Sequence, residues 1–121
     1  MTMILMMLQA KFQPAKRLKR IVAAISGVEN YGRMTIREDC VFLEVMNPNH
    51  RVPVSLFLNS AWFDSYNFTS GNPSSSAWTI LLDLTMFNYL LSLANDDDQV
   101  EIHAVSDSDF NRFYLLFDHQ G

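Results

Sequence analysis

This 121-residue sequence is poor in the residues that build several kinds of functional centre. Its one cysteine, Cys40, excludes an intrachain disulfide framework and any multi-cysteine metal site. Its four glycines (Gly27, Gly32, Gly71 and Gly121) are isolated, so there is no glycine-rich phosphate loop. His50, His103 and His119 fall in a turn, a strand and a tail, without zinc-ligand spacing. The apolar start, Met1 to Leu8, is far shorter than the ~20 residues of a bilayer-spanning helix. With no basic residue ahead of it and no small-residue cleavage site, it reads as a first strand, not a secretory signal. The run Asp96, Asp97, Asp98 lacks the alternating ligands and glycine of a calcium loop and reads as a solvated turn. Cys40, at a strand start, reads as structural and not as a nucleophile. These absences leave little for catalysis, and the expectation is a protein that is not an enzyme and carries no metal or cofactor.

Acid is also missing from one end. No Asp or Glu occurs in the first 28 residues, whereas five of the nine basic residues fall between positions 11 and 20. These are Lys11, Lys16, Arg17, Lys19 and Arg20; the other four, Arg33, Arg37, Arg51 and Arg112, are scattered singly. The net charge of −4 therefore sums a basic start and an acidic remainder. Such asymmetry points to one positive face on a negative body, a footprint of nucleic-acid contact. A solvated helix face with no ligand is the alternative.

What is present suits one folded domain spanning 1–121. The hydrophobic fraction of 49% supports an ordinary core, and domains cluster at roughly 100–150 residues. Residues 3 to 13 read as a strand. Pro14 suits the first turn of a helix, and from Ala15 the sequence is helical to a stop at Gly27. Leu18, Ile21, Val22 and Ile25 share one side, Lys16, Lys19, Arg20 and Ala23 the other, with Arg17 on the flank. Strands are expected at Arg33 to Glu38, Cys40 to Met46 and Val52 to Leu58, with Pro53 tolerated near a strand start or at an edge. Trp62, Phe63 and Tyr66 read as a single helical turn or an irregular link, and Thr69 to Ser76 as a surface loop.

Trp78 to Leu84 reads as a strand running into Thr85, a candidate N-cap for a helix from Met86 to Ala94. On that helix Met86, Phe87, Leu90, Leu91, Leu93 and Ala94 form the apolar side, and Thr85, Asn88 and Ser92 the other. Val100 to Val105 and Phe110 to Phe117 read as a closing hairpin. The fold class is α+β, two helices packed on one face of antiparallel sheet.

Three blocks carry a family likeness. The stretch from Val41 to His50 (Val-Phe-Leu-Glu-Val-Met-Asn-Pro-Asn-His), continuing through Ser55-Leu56 to Phe63-Asp64-Ser65-Tyr66, resembles the eukaryotic sliding clamp family, proliferating cell nuclear antigen. Leu84-Thr85, the helix to Ala94, the acidic turn and Val100 to Ala104 resemble the second inner helix and following strand of the clamp's amino-terminal half. Leu8 to Phe12 with Leu18 to Ile21 is similar to the first strand and first inner helix, and also to checkpoint-clamp subunits. Departures are the Ser-rich stretch at 69–76 and an uncharged second helix. Family members join two such halves through a long connector, and Gly121 lies about where that connector begins.

The resemblance implies a sliding-clamp half domain and a non-enzymatic, DNA-encircling processivity or scaffold factor of replication and repair, nuclear or at a viral replication site. Its alternatives are a checkpoint clamp subunit in damage signalling and a free-standing interaction module that forms no ring. It implies double-stranded DNA facing Lys16, Arg17, Lys19 and Arg20, with Asn88 and Ser92 as neutral neighbours. It implies a groove for polymerase or repair-factor peptides at Met46, His50 and Arg51. It also implies a subunit-pairing edge at Arg112, Phe113, Tyr114, Leu115, Leu116 and Phe117, meeting other clamp subunits and no membrane.

Overall fold

A computed structural model of the chain describes residues 4–47, 52–71, 77–107 and 111–119. Period-2 alternation of apolar and polar residues drives most of them into strands, because it lets one face of a sheet be buried while the other meets water. The strands are β1 (Ile4–Phe12), β2 (Tyr31–Arg37), β3 (Cys40–Asn47), β4 (Val52–Asn59), β5 (Ser65–Ser70), β6 (Ala77–Asp83), β7 (Gln99–Asp107) and β8 (Asn111–Asp118). The helices are α1 (Lys16–Ser26) and α2 (Leu84–Ser92), with a single 3-10 turn at Ser60–Trp62.

The α+β class stands, and the antiparallel sheet is two sheets of four strands, ordered β5-β1-β7-β8 and β4-β3-β2-β6. Every pairing within them is antiparallel. Leu8, Ala10 and Phe12 of β1 point inward with Val100, Ile102 and Ala104 of β7. Met34, Ile36, Leu43, Val45, Ile80 and Leu82 do so from the second sheet. Leu18, Val22 and Ile25 of α1 and Phe87 and Leu91 of α2 close the same core. Full burial of a side chain such as Phe12 or Leu18 contributes about 1.5–3 kcal/mol relative to exposure. Gly32 is closely surrounded: a Cβ there would stand 3.0 Å from Leu43 Cδ1 and 3.2 Å from both Leu84 Cδ1 and Val45 Cγ2, and those side chains would have to give way slightly.

Several boundaries differ from the sequence expectation. Strand β5 occupies part of the stretch read as link and loop, pairing with β1 through Leu8 opposite Phe68 and Ala10 opposite Tyr66. Its six residues are mostly polar, and what makes them a strand is the exposed edge of β1 beside them. The Gln13–Pro14 peptide is cis and α1 starts two residues later, at Lys16. The cap of α2 is Asp83, whose Oδ1 accepts the Met86 amide at 2.9 Å, and not Thr85, which lies inside the first turn. Met86 and Leu93 do not belong to the buried side of α2: they are 53% and 54% exposed, because the sheets cover only the stripe of Leu84, Phe87 and Leu91. Pro53 lies on β4, an outer strand of its sheet, where a missing donor is tolerated.

The two sheets are clasped at one corner by Tyr66. Its hydroxyl, on β5, has the Arg37 carbonyl at 2.5 Å and the Cys40 carbonyl at 2.9 Å, both at the β2–β3 turn of the other sheet. Burial, with Cys40 and Asp39 nearby, pushes its ionisation well above the ordinary tyrosine range, so the phenol stays a donor.

Candidate nucleic-acid interface

The start of α1 is organised by the turn that follows α2. Ala15, at the cap position, has no side chain to satisfy the first amides. The amide of Ala15 donates instead to the Asp98 carbonyl (2.9 Å) and that of Lys16 to the Asp96 carbonyl (3.1 Å). Gln13 Nε2 donates to the Asp97 carbonyl at 3.0 Å, so the β1–α1 corner grips all three aspartates by their backbone. Asp98 is not solvated as the sequence suggested, being 1% exposed. Its Oδ2 accepts the Asn95 amide at 2.8 Å and lies 2.7 Å from His119 Nδ1. The carboxylate, by closing on the amide three residues back, gains the partner that allows it to be buried while Asn95, Asp96 and Asp97 stay exposed.

With that corner fixed, α1 and α2 lie side by side and enclose an open groove of about 260 Å³. Lys16, Lys19, Arg20 and Ala23 line it from α1, Asn88, Leu91 and Ser92 from α2, and Asp96 from the turn. Five of the six residues expected to face DNA therefore converge from two helices, those of α1 more than 60 positions from those of α2. Lys16 and Arg20 are exposed, one turn apart, and no ion pair among the described residues engages either of them. Lys19 is tied down: its Nζ donates to the Ala94 carbonyl at 2.8 Å and to Asp96 Oδ1 at 3.0 Å. A cation is favoured there because the end of α2 carries partial negative charge. In return, Lys19 holds the Asp96 carboxyl below its usual range, first by that hydrogen bond and then by charge, with Lys16 and Arg20 adding to the effect. The Ser92 hydroxyl donates back to the Tyr89 carbonyl at 2.5 Å.

Arg17, the sixth, turns away from the groove. Its guanidinium donates to the carbonyls of Trp62 (2.8 Å) and Gln13 (3.3 Å), with Cζ 4.3 Å from the centroid of the Trp62 ring. Trp62 packs in turn on Phe12, with ring centroids 5.3 Å apart. Sequence reading missed Asp96 as a member of the groove and Asp98 as its organiser. The available signal was an Asp three residues after an Asn that follows a helix.

The other candidate positions are placed less completely. Met46 lies near the end of β3, opposite Pro53, while His50 and Arg51 fall outside the described residues. Arg112 to Phe117 lie on β8, the outer strand of its sheet, with Phe113, Leu115 and Phe117 turned toward the core and Tyr114 and Leu116 outward. Tyr114 meets His103 of β7 through a hydrogen bond between its hydroxyl and the ring Nδ1. Cys40 is buried, and burial together with Asp39 pushes its thiol up, away from the reactive thiolate. Among the described residues, no group of three or more His, Cys, Asp or Glu is gathered as a metal requires, and no helix is long and apolar enough to cross a membrane.

The family model for the proliferating cell nuclear antigen N-terminal domain matches residues 7–120. The chain belongs to that family. Solved structures of proliferating cell nuclear antigen from Thermococcus kodakaraensis (20% identity, TM-score 0.67) and Entamoeba histolytica (18%, 0.68) share its fold. They align over 93% and 94% of this chain and over 47% and 48% of their own. A structure of a PCNA2–PCNA3 complex from Sulfolobus tokodaii aligns as well (11%, TM-score 0.68), over 93% of this chain and 47% of the other. No curated protein matches the sequence. The chain thus spans about half the length of these clamps. As a member of the proliferating cell nuclear antigen family it has the sliding-clamp half-domain fold, with two helices over two antiparallel sheets.

Proposed function

We propose that the chain acts as half of a sliding-clamp element, a non-enzymatic scaffold that associates with other clamp domains around duplex DNA. The observation that carries this is the groove between α1 and α2, where Lys16 and Arg20 stand exposed on a chain whose net charge is −4. Lysine and arginine on a helix face contact phosphates without reading bases, and such contacts are salt-sensitive and independent of sequence. A protein that tracks along DNA needs that combination, since base-specific contacts would halt it.

Ring formation in this reading uses sheet edges. β8 is an outer strand, and an outer strand's backbone groups are a template for a strand of a neighbouring clamp domain. Polymerase or repair-factor peptides dock outside the ring, at the end of β3 near Met46 and the adjoining His50 and Arg51. The work belongs to DNA replication and repair, in a nucleus or at a viral replication site. The test is duplex-DNA association at stepped salt together with light scattering at micromolar concentration. The expected result is DNA affinity that falls steeply with salt and a mass above that of the monomer. A monomer without DNA affinity contradicts the proposal.

A further inference from the structure

We propose that the four cations of α1 divide into two working pairs: Arg17 and Lys19 are positioning residues that fix the helix, and Lys16 and Arg20 meet phosphate. This rests on the reading above that the groove faces DNA. Four basic residues in five positions look equivalent in the sequence, yet their surroundings separate them.

Both terminal guanidinium nitrogens of Arg17 reach backbone carbonyls, and the guanidinium face is stacked on Trp62. To meet a phosphate the side chain must abandon all three contacts. A planar, forked cation is suited to this clasp in a way that a lysine is not. Lys19 is only 24% exposed, and its ammonium is shared between the Ala94 carbonyl and the Asp96 carboxylate. These bonds span 75 and 77 positions of sequence, and they join α1 to the end of α2. They set the width of the groove, and they neutralise a carboxylate that would otherwise stand beside the phosphates. Lys16 and Arg20, four residues apart, occupy one exposed face, and no ion pair with the described residues holds either of them.

The experiment is the salt dependence of duplex-DNA association, read by fluorescence anisotropy well below the thermal midpoint, with Tm measured in parallel. The chains compared are the wild type, Lys16→Ala, Arg20→Ala, Arg17→Met, Arg17→Lys and the charge-balanced double variant Lys19→Met with Asp96→Asn. Lys16→Ala and Arg20→Ala are each expected to flatten the slope of log K against log salt by about 0.9 and to leave Tm near that of the wild type. Arg17→Met and the double variant are expected to lower Tm and to lower affinity at fixed salt while keeping the wild-type slope. Arg17→Lys, which keeps the charge but not the clasp, is expected to follow Arg17→Met. A slope reduced by about 0.9 in Arg17→Met or in the double variant makes that residue a phosphate ligand and overturns the division. Unchanged affinity despite a lowered Tm makes the role structural only and also overturns it. If the wild type has no salt-dependent affinity for DNA, the underlying DNA reading fails and the phosphate pair with it. The Tm values then decide separately whether Arg17 and Lys19 are anchors.

Discussion

Asp98 illustrates how a single side chain shapes the groove without lining it. Its buried carboxylate closes the turn on the Asn95 amide, and the carbonyl of the same residue receives the amide of Ala15, the cap residue of α1. Asp98→Ala leaves the part-buried Asn95 amide without its acceptor, and urea unfolding is expected to show a loss of about 1–3 kcal/mol. The neighbouring Lys19–Asp96 pair has a distinct pH signature. Because Asp96 is held below its ordinary carboxylate value, the pair's contribution is complete above the unfolded value and fades as pH falls through the folded one. The gap in urea midpoint between the wild type and Asp96→Asn is therefore expected to be widest near neutrality and to begin narrowing only as pH falls below about 4. A gap that is constant with pH contradicts the pairing.

Among the elements, Tyr66 is the link most open to test, because one hydroxyl joins β5 of one sheet to the β2–β3 turn of the other. Tyr66→Phe keeps the ring among its aromatic neighbours and removes the clasp, with an expected cost of about 0.5–1.5 kcal/mol in denaturant unfolding. The elements also show how far sequence pattern reaches. The apolar face of α1 was legible because Leu18, Val22 and Ile25 recur at helical spacing and nothing competes with that face. The strands β2, β3, β6 and β7 were legible for the analogous reason at period 2. β5 was not, since Ser65–Ser70 has little apolar content and its strand character comes from the edge of β1. α2 was legible as a helix but not in its burial, because apolar residues surround more of it than two sheets cover. Of the site, the basic face was visible locally. Its closure by Asp96 and the departure of Arg17 toward Trp62 depend on contacts 45 or more positions away, which periodicity does not encode.

At the scale of the whole molecule, the uneven charge along the chain becomes a spatial arrangement. The basic segment folds into α1, and α1 and α2 together carry the groove on the side away from the sheets. In the function proposed above, that face meets duplex DNA and an outer strand such as β8 pairs with the next half domain. The most direct test of the central claim is the salt dependence of duplex-DNA association for the wild type and for the Lys16→Ala, Arg20→Ala double variant. The account predicts that the wild-type affinity falls with salt and that the double variant's slope is shallower by about 1.8. Equal slopes in the two proteins, or no affinity in either, would contradict it.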